Sequence, residues 1–340
     1  MRLLAAIILL LSSISSGASL KPSDQNMAIL LSTVDYVFAD NFTQAHKVAA
    51  ELDDSAPGEP LYHLLYASIL HARMMDGEDF SYEKDFMRNI DISIKALDKW
   101  IDQNPDDAWG HFFLGSALGY KAVWQGQEGS WLKSLLNGLK AKGKFSDALR
   151  LDAGLYDCYT GLGSFHYWSS VKLRKLFPFL SDNRQEGLAE LKLAMDSSYI
   201  SSKAAAVGYG WALLNEKRYS GALKIAQHLN ETTGGGRNAL WLLGGIYWSN
   251  GNLRKAAENY ARLIESLERA EDQNYYNLIF CRYRRGVCLF GLQKYNEAEQ
   301  EFKTLQSYMT SDKIKERHKK TLLKTKEYLV KIEEANSGKT

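Results

Sequence analysis

The sequence predicts an all-α, right-handed α-solenoid of about seven antiparallel helix pairs, ending in a C-terminal capping helix. Three observations carry that expectation. Three segments of the C-terminal half share a Gly, a bulky apolar residue nine positions on and an Ala three further: Gly210, Tyr219, Ala222; Gly244, Leu253, Ala256; and Gly286, Tyr295, Ala298. Pro57 leads Ala67 and Pro105 leads Gly115 by ten positions, and Ala153 leads Gly163 by the same interval. The composition, 45% hydrophobic and 24% charged with only 5 Pro, suits a mainly helical globular chain.

Helix pairing explains the spacing. The Gly lets the second helix approach the first, the Tyr or Leu opens the second helix, and the Ala sits where the two cross. Leu243-Gly244-Gly245-Ile246-Tyr247 followed by Asn250-Gly251-Asn252 shows it best, with an Asn-Gly turn between two helical runs. A further apolar residue recurs four positions after the Ala, at Ala226, Tyr260 and Phe302. These sets resemble the tetratricopeptide repeat. Carried along the chain, the register gives helix pairs at 24–57, 60–105, 107–153, 155–199, 203–234, 237–268 and 274–309, within a solenoid spanning 19–311. A basic helix over 312–335 is expected to cap it with Leu322, Leu323, Tyr328, Leu329 and Ile332, leaving 336–340 as a disordered tail.

Repeats 2, 3 and 4 are too long. Ala67 to Ile90 and Gly115 to Gly138 each span 23 residues, and Gly163 to Arg184 spans 21, against nine in the plain repeats. Stacking should gather these additions along one rim, at 76–86, 120–137 and 168–183. Aromatic and basic side chains concentrate there: Trp124, Trp131, Trp168, Phe177 and Phe179 beside Lys121, Lys133, Lys172, Arg174 and Lys175. Aromatics with Arg and Lys recur in interfaces, so these ten residues are the candidate partner-binding set. The competing reading is that the additions form extended helices and a lid whose aromatics pack on one another as a satellite core.

A second resemblance covers roughly residues 108–195. Trp131-Leu132-Lys133 before Gly138-Leu139-Lys140, then Gly161-Leu162-Gly163-Ser164-Phe165, then Lys175-Leu176 through Asp182-Asn183-Arg184-Gln185-Glu186-Gly187-Leu188 resemble the central region of the eukaryotic tetratricopeptide family linked to inclusion-body and lipid-droplet clearance. The resemblance implies a scaffold with an inserted central hairpin and no catalysis. Members of that family are intracellular, which sets this chain's expected export apart.

That export is read from the N-terminus. Arg2 precedes an apolar run from Leu3 to Leu11 that is too short to span a bilayer, and Ser16 and Ala18 offer the small residues a signal peptidase favours. Residues 1–18 are therefore expected to be a cleaved signal peptide, with the mature chain, periplasmic or secreted and soluble, starting at Ser19. No later stretch is apolar enough for a transmembrane segment. The net charge of +2 hides a segregation: residues 21–110 hold 7 Lys+Arg against 17 Asp+Glu, and residues 111–340 hold 34 against 23. Solvated helix faces are the plain reading of these poles; partner steering or head-to-tail self-contact is the other.

Chemistry-bearing patterns are sparse. The three cysteines, Cys158, Cys281 and Cys288, read as core thiols, with a disulfide from Cys158 as the alternative in an oxidising compartment. None of the seven His has an i, i+4 His partner for a helical metal site, and His111 and His166 read as packing residues. No phosphate loop, dinucleotide fingerprint or nucleophile elbow occurs. The expectation is a non-catalytic exported scaffold or adaptor, without cofactor or metal, that binds a protein or peptide on its concave face and inserted rim. No nucleic-acid partner is expected. A carrier of an apolar or amphiphilic small molecule or lipid, and an enzyme with a dispersed site, are the alternatives.

Overall fold

A computed structural model describes residues 18–52, 59–78, 80–174, 181–270 and 275–337, and every regular element among them is an α-helix. The signal-peptide expectation therefore falls almost wholly outside the described residues. Seven helix pairs follow in order: α1 (Asp24–Phe38) with α2 (Phe42–Ala49), α3 (Glu59–Gly77) with α4 (Glu83–Gln103), α5 (Ala108–Gln127) with α6 (Trp131–Leu151), α7 (Cys158–Leu173) with α8 (Arg184–Ser197), α9 (Ser202–Asn215) with α10 (Tyr219–Thr232), α11 (Arg237–Ser249) with α12 (Leu253–Glu268), and α13 (Tyr276–Gly291) with α14 (Tyr295–Ser307). Two further helices, α15 (Asp312–Arg317) and α16 (Lys319–Ser337), end the chain. No helix among the described residues is long and apolar enough to cross a membrane.

The repeat residues sit where helix crossing needs them. Ala45, Ala222, Ala226, Ala256 and Ala298 are fully buried, and a methyl group on Gly286 would lie 2.6 Å from the Phe302 ring. Between α7 and α8 the two backbones meet directly. There a methyl on Gly163 would lie 2.8 Å from the Gly187 carbonyl oxygen and the Leu191 amide nitrogen, and one on Gly187 would lie 2.7 Å from the Gly163 carbonyl oxygen. Side-chain caps fix several helix starts: Ser23, Asn41, Asn252 and Ser311 each accept the amide of the residue three further on.

The additions in repeats 2 and 3 are helical. They lengthen α3, α4, α5 and α6 to between 19 and 21 residues, against 13 to 16 in α9 to α14. In repeat 4 the addition lies between the end of α7 and the start of α8, and residues 175–180 of it fall outside the described residues. At the C-terminus, Tyr328 of α16 stacks on Phe302 at 5.3 Å and meets Phe290 edge-on at 5.1 Å, while Ile332 is buried. Leu323, expected to join that cap, is 55% exposed, because the chain breaks at His318 and α16 restarts with a different face inward. The helix also runs through 336 and 337, where a disordered tail was expected. All three cysteines are buried and unpaired. Burial pushes the Cys288 thiol up to about 11, so it stays protonated.

The charge poles meet inside the chain. Arg237 at the start of α11 is 5% exposed. Its guanidinium forks onto Asp76 near the end of α3, with Nε at 2.9 Å from both carboxylate oxygens and Nη2 at 2.6 Å from one of them. Its backbone N–H donates to Asp40 in the α1–α2 turn at 2.7 Å. Lys203 at the start of α9 pairs with Asp35 on α1, Asn277 on α13 donates to the Asp76 carbonyl, and Arg317 on α15 pairs with Glu78 after α3. A Cβ on Gly236 would lie 2.0 Å from the Phe38 carbonyl oxygen, so the backbones themselves touch. Repeat 1 thus rests against repeats 5 and 6, and repeat 2 against repeats 6 and 7 and the cap. The superhelix closes on itself through turns of opposite edges. The acidic N-terminal block supplies the carboxylates and the basic block supplies the cations, so self-contact, not solvated faces alone, accounts for part of the segregation.

Two stability predictions follow from this packing. Gly163→Ala should cost about 2–3 kcal/mol, since backbone rather than a flexible side chain blocks the methyl. Gly119→Ala, where nothing lies within 4 Å, should stabilise by up to about 1 kcal/mol. Denaturant unfolding of both variants checks this pair. Burial, opposed by Arg237, lifts the Asp40 carboxyl from its ordinary range to about 6. A carboxyl raised in the folded state contributes stability that is complete below its unfolded value and lost as pH rises through about 6. Asp40→Asn should therefore gain stability relative to the parent between pH 4 and pH 7.5, by about 3 kcal/mol at most. Melting curves across that range would show it; a constant difference would refute it.

Candidate functional site: the α5–α6 hairpin face

The lengthened α5–α6 hairpin presents two faces of opposite character. Inward, α6 buries Ala141, Phe145 and Ala148, spaced to one side of the helix. Asn137 Nδ2 donates to Gln125 Oε1 at 2.8 Å and ties the two helices near their tip. Gly129, with φ of 81°, makes the turn between them. Outward, Leu132, Leu136 and Leu139 are 71%, 51% and 49% exposed. Their i, i+4, i+7 spacing stacks them in one stripe on the side away from Ala141 and Phe145. Trp131 at the tip is 60% exposed.

The same helix is uniformly basic. From Trp131 to Ser146 it carries four lysines, at 133, 140, 142 and 144, and no carboxylate. Lys133 and Lys140 are exposed beside the leucine stripe. None of the four forms an ion pair with another described residue; Lys142 lies over the Phe165 ring at 5.8 Å. Lys172 of α7 sits 5.0 Å over the Trp131 ring and joins repeat 4 to the same face. At the tip, Glu128 is held above the ordinary carboxyl range by its hydrogen bond with Glu83 and by burial, with Lys133 opposing.

The structure separates the ten candidates. Trp131, Lys133 and Lys172 come together on this face. Trp124 does not: it is 1% exposed, edge-on to Phe80 at 5.2 Å and Phe86 at 5.8 Å, and binds the tips of repeats 2 and 3 into one core. Here the satellite-core reading describes the residue. Lys121 reaches back to Asp91 at 2.6 Å, and Arg174 pairs with Asp182. Trp168 is half-buried against Tyr167, whose hydroxyl donates to the Ala212 carbonyl and to Glu216. Lys175, Phe177 and Phe179 lie outside the described residues. The leucine stripe itself was not among the candidates. Its signal was present as Leu132, Leu136 and Leu139 at helical spacing, alongside the competing inward set of the same helix.

Two other arrangements stand apart from this face. His166 Nδ1 lies 2.7 Å from Glu190 and 4.0 Å from the exposed Glu186, three groups of metal-ligand type, of which His166 and Glu190 share a part-buried hydrogen bond. On helices α11 and α13, Arg284 covers the Trp248 ring at 3.8 Å and the Phe280 ring at 5.0 Å, with Trp241 against Phe280. This second aromatic–arginine cluster was signalled by the i, i+7 pair Trp241 and Trp248.

No protein-family model matches the chain, and no curated protein sequence matches it. Among solved structures, a chain of the APC/C hetero-tetramer Cut9–Hcn1 superposes with a TM-score of 0.54 at 13% identity, over 89% of this chain and 52% of that one. The fold is that of a tetratricopeptide-repeat solenoid. This chain spans about half the length of that neighbour. PilW, a type IV pilus biogenesis factor, aligns over 73% of this chain and 96% of its own at 15% identity and a TM-score of 0.49. A tetratricopeptide repeat protein from Parabacteroides merdae aligns over 88% of this chain and 100% of its own, at 13% identity and a TM-score of 0.40.

The two tryptophans of the hairpin should behave oppositely. Trp124→Ala is expected to cost about 3–5 kcal/mol through the cavity it leaves. Trp131→Ala should change stability by less than about 0.5 kcal/mol. Urea unfolding followed by circular dichroism distinguishes them, and equal effects would contradict the burial assigned here.

Proposed function

We propose that the protein is a non-catalytic, exported scaffold that binds a partner protein through the exposed face of the α5–α6 hairpin. The observation that carries this reading is the leucine stripe of α6, apolar at i, i+4 and i+7, bordered by lysines that form no ion pair among the described residues. A complementary ligand is an acidic amphipathic helix, its apolar side on Leu132, Leu136 and Leu139 and its carboxylates towards Lys133, Lys140 and Lys172. Apolar burial supplies affinity; the charges supply orientation and speed of encounter. Trp131, stacked under Lys172, is the anchor at the hairpin tip.

The closed superhelix bears on the concave-face part of the reading. A cavity of about 490 Å³ lies at the junction of repeats 1 and 6, lined by Asp40, Arg237, Arg262, Glu265 and Arg269 among others. That lining is charged, whereas a carrier of apolar molecules needs an apolar pocket.

The test is fluorescence anisotropy with a labelled synthetic helix bearing leucines on one face and glutamates on its flanks. Leu136→Glu should weaken binding at least tenfold while leaving the melting temperature unchanged, and a version of the peptide with lysine for glutamate should not bind. Affinity should fall as salt rises. Equal binding of the lysine peptide, or an indifferent Leu136→Glu, would refute the proposal. Hairpin-dependent binding to anionic phosphatidylglycerol vesicles with no peptide binding would replace the protein partner by a lipid surface.

A further inference from the structure

The corner between α4 and α5 holds a carboxylate that is short of charge. Asp107, the residue before α5, is 6% exposed. It accepts three hydrogen bonds: from the Ser19 hydroxyl at 2.7 Å, from the Leu20 amide at 2.8 Å and from Trp100 Nε1 at 2.9 Å. No described Lys or Arg forms an ion pair with it. A buried anion satisfied by neutral donors alone keeps most of its desolvation cost, with the α5 N-terminus as partial relief. The donors come from the segment directly after the expected cleavage point. Leu20 is 2% exposed and packs in the N-terminal core, while Ala18 and Ser19 are exposed and Ser19 is held by its hydroxyl on Asp107.

We propose that removal of residues 1–18 places the Ser19 α-ammonium beside Asp107, so that proteolytic maturation itself gives this buried carboxylate a counter-ion and locks the N-terminus onto the solenoid. The proposal rests on the export reading above. Hydrolysis of the Ala18–Ser19 amide by a peptidase of the export machinery consumes one water, leaves a carboxylate on Ala18 and frees the Ser19 amine, which takes up a proton. The amine is three covalent bonds from the Ser19 hydroxyl oxygen, about 3–4 Å away. That oxygen is 2.7 Å from Asp107 and the next backbone nitrogen, of Leu20, is 2.8 Å from it, so the freed amine lies within about 7 Å of the carboxylate and a rotation about the Ser19 backbone can bring the charges together. Before cleavage the same nitrogen is a neutral amide, and no Lys or Arg among the described residues pairs with Asp107. The pairing also gives the corner a reason to use Asp: the side chain makes no capping bond within α5, and its oxygens turn to residues 19 and 20 instead.

The experiment uses the full chain, expressed in an exporting bacterial host, with the exported product purified. Intact mass reads the start of the chain. The pH dependence of acylation of its α-amine then reads the ammonium pKa, which should lie at least one unit above the ordinary terminal value near 8, making the amine roughly tenfold less reactive at pH 7. Asp107→Asn should restore ordinary reactivity. Trp100→Phe, which removes an Asp107 donor without touching the amine, should leave the raised value in place. A product that keeps residues 1–18, or starts elsewhere, overturns the export reading and this proposal together. A product starting at Ser19 with an ordinary amine pKa overturns the lock alone, and that measurement on the parent protein decides even where Asp107→Asn does not fold.

Discussion

The architecture depends on how Arg237 is neutralised. An arginine with 5% of its surface exposed must be paired, and both carboxylates that serve it come from the first two repeats. Repeats in an open solenoid touch only their neighbours, and their stability is nearly a sum of local terms. Here Asp40, Asp76, Asp35 and Glu78 reach across to Arg237, Asn277, Lys203 and Arg317, tying residues between 161 and 239 positions apart. Early and late repeats are therefore coupled through one junction. The lengthening of α3 has its reason in the same place. Asp76 and Glu78 lie at and beyond the end of the added turns, where a plain repeat would already have begun its second helix.

The two lengthened hairpins then part in function. The tip of repeat 2 is occupied by the junction and by Phe80, Phe86 and Trp124. The tip of repeat 3 shares Trp124 inward but turns Trp131, with Lys172 over its ring, and three exposed leucines outward. One insertion shapes the scaffold and the next offers a surface. That division accounts for why an addition of equal length, 23 residues between equivalent positions, carries different chemistry in successive repeats.

Helix pairing was legible because its determinants are local. Gly and Ala recur where two helices cross, and in the plain repeats Gly244 and Gly286 each meet the ring sixteen residues on, Tyr260 and Phe302. The closure was not legible in that way. It depends on superhelical pitch, which sums small rotations over five repeats, and the sequence exposes it only as a charge imbalance that solvated faces would also explain. Trp124 and Trp131 illustrate the same limit at the site. Both stand in an insertion beside lysines, and only the approach of Phe80 from another repeat decides which is core. Leu132, Leu136 and Leu139 were hidden for a further reason: α6 is apolar on two sides, so its outward stripe was indistinguishable from its inward one until Phe145 showed which side Gly115 and Gly161 receive.

The charge inventory makes the hairpin face a specific surface rather than a generic sticky one. Much of the basic excess of the C-terminal block is answered within the fold: Lys203, Arg237 and Arg317 at the junction, Arg282 and Arg285 on Glu301, and Arg184 on Asp182 and Glu216. The four lysines of α6 are left over, concentrated on one helix with no described carboxylate partner. An apolar stripe alone invites any hydrophobic contact, including a second copy of the same chain. Bordering it with lysines would oppose like charges between two copies, which fits the acidic partner proposed above better than self-association.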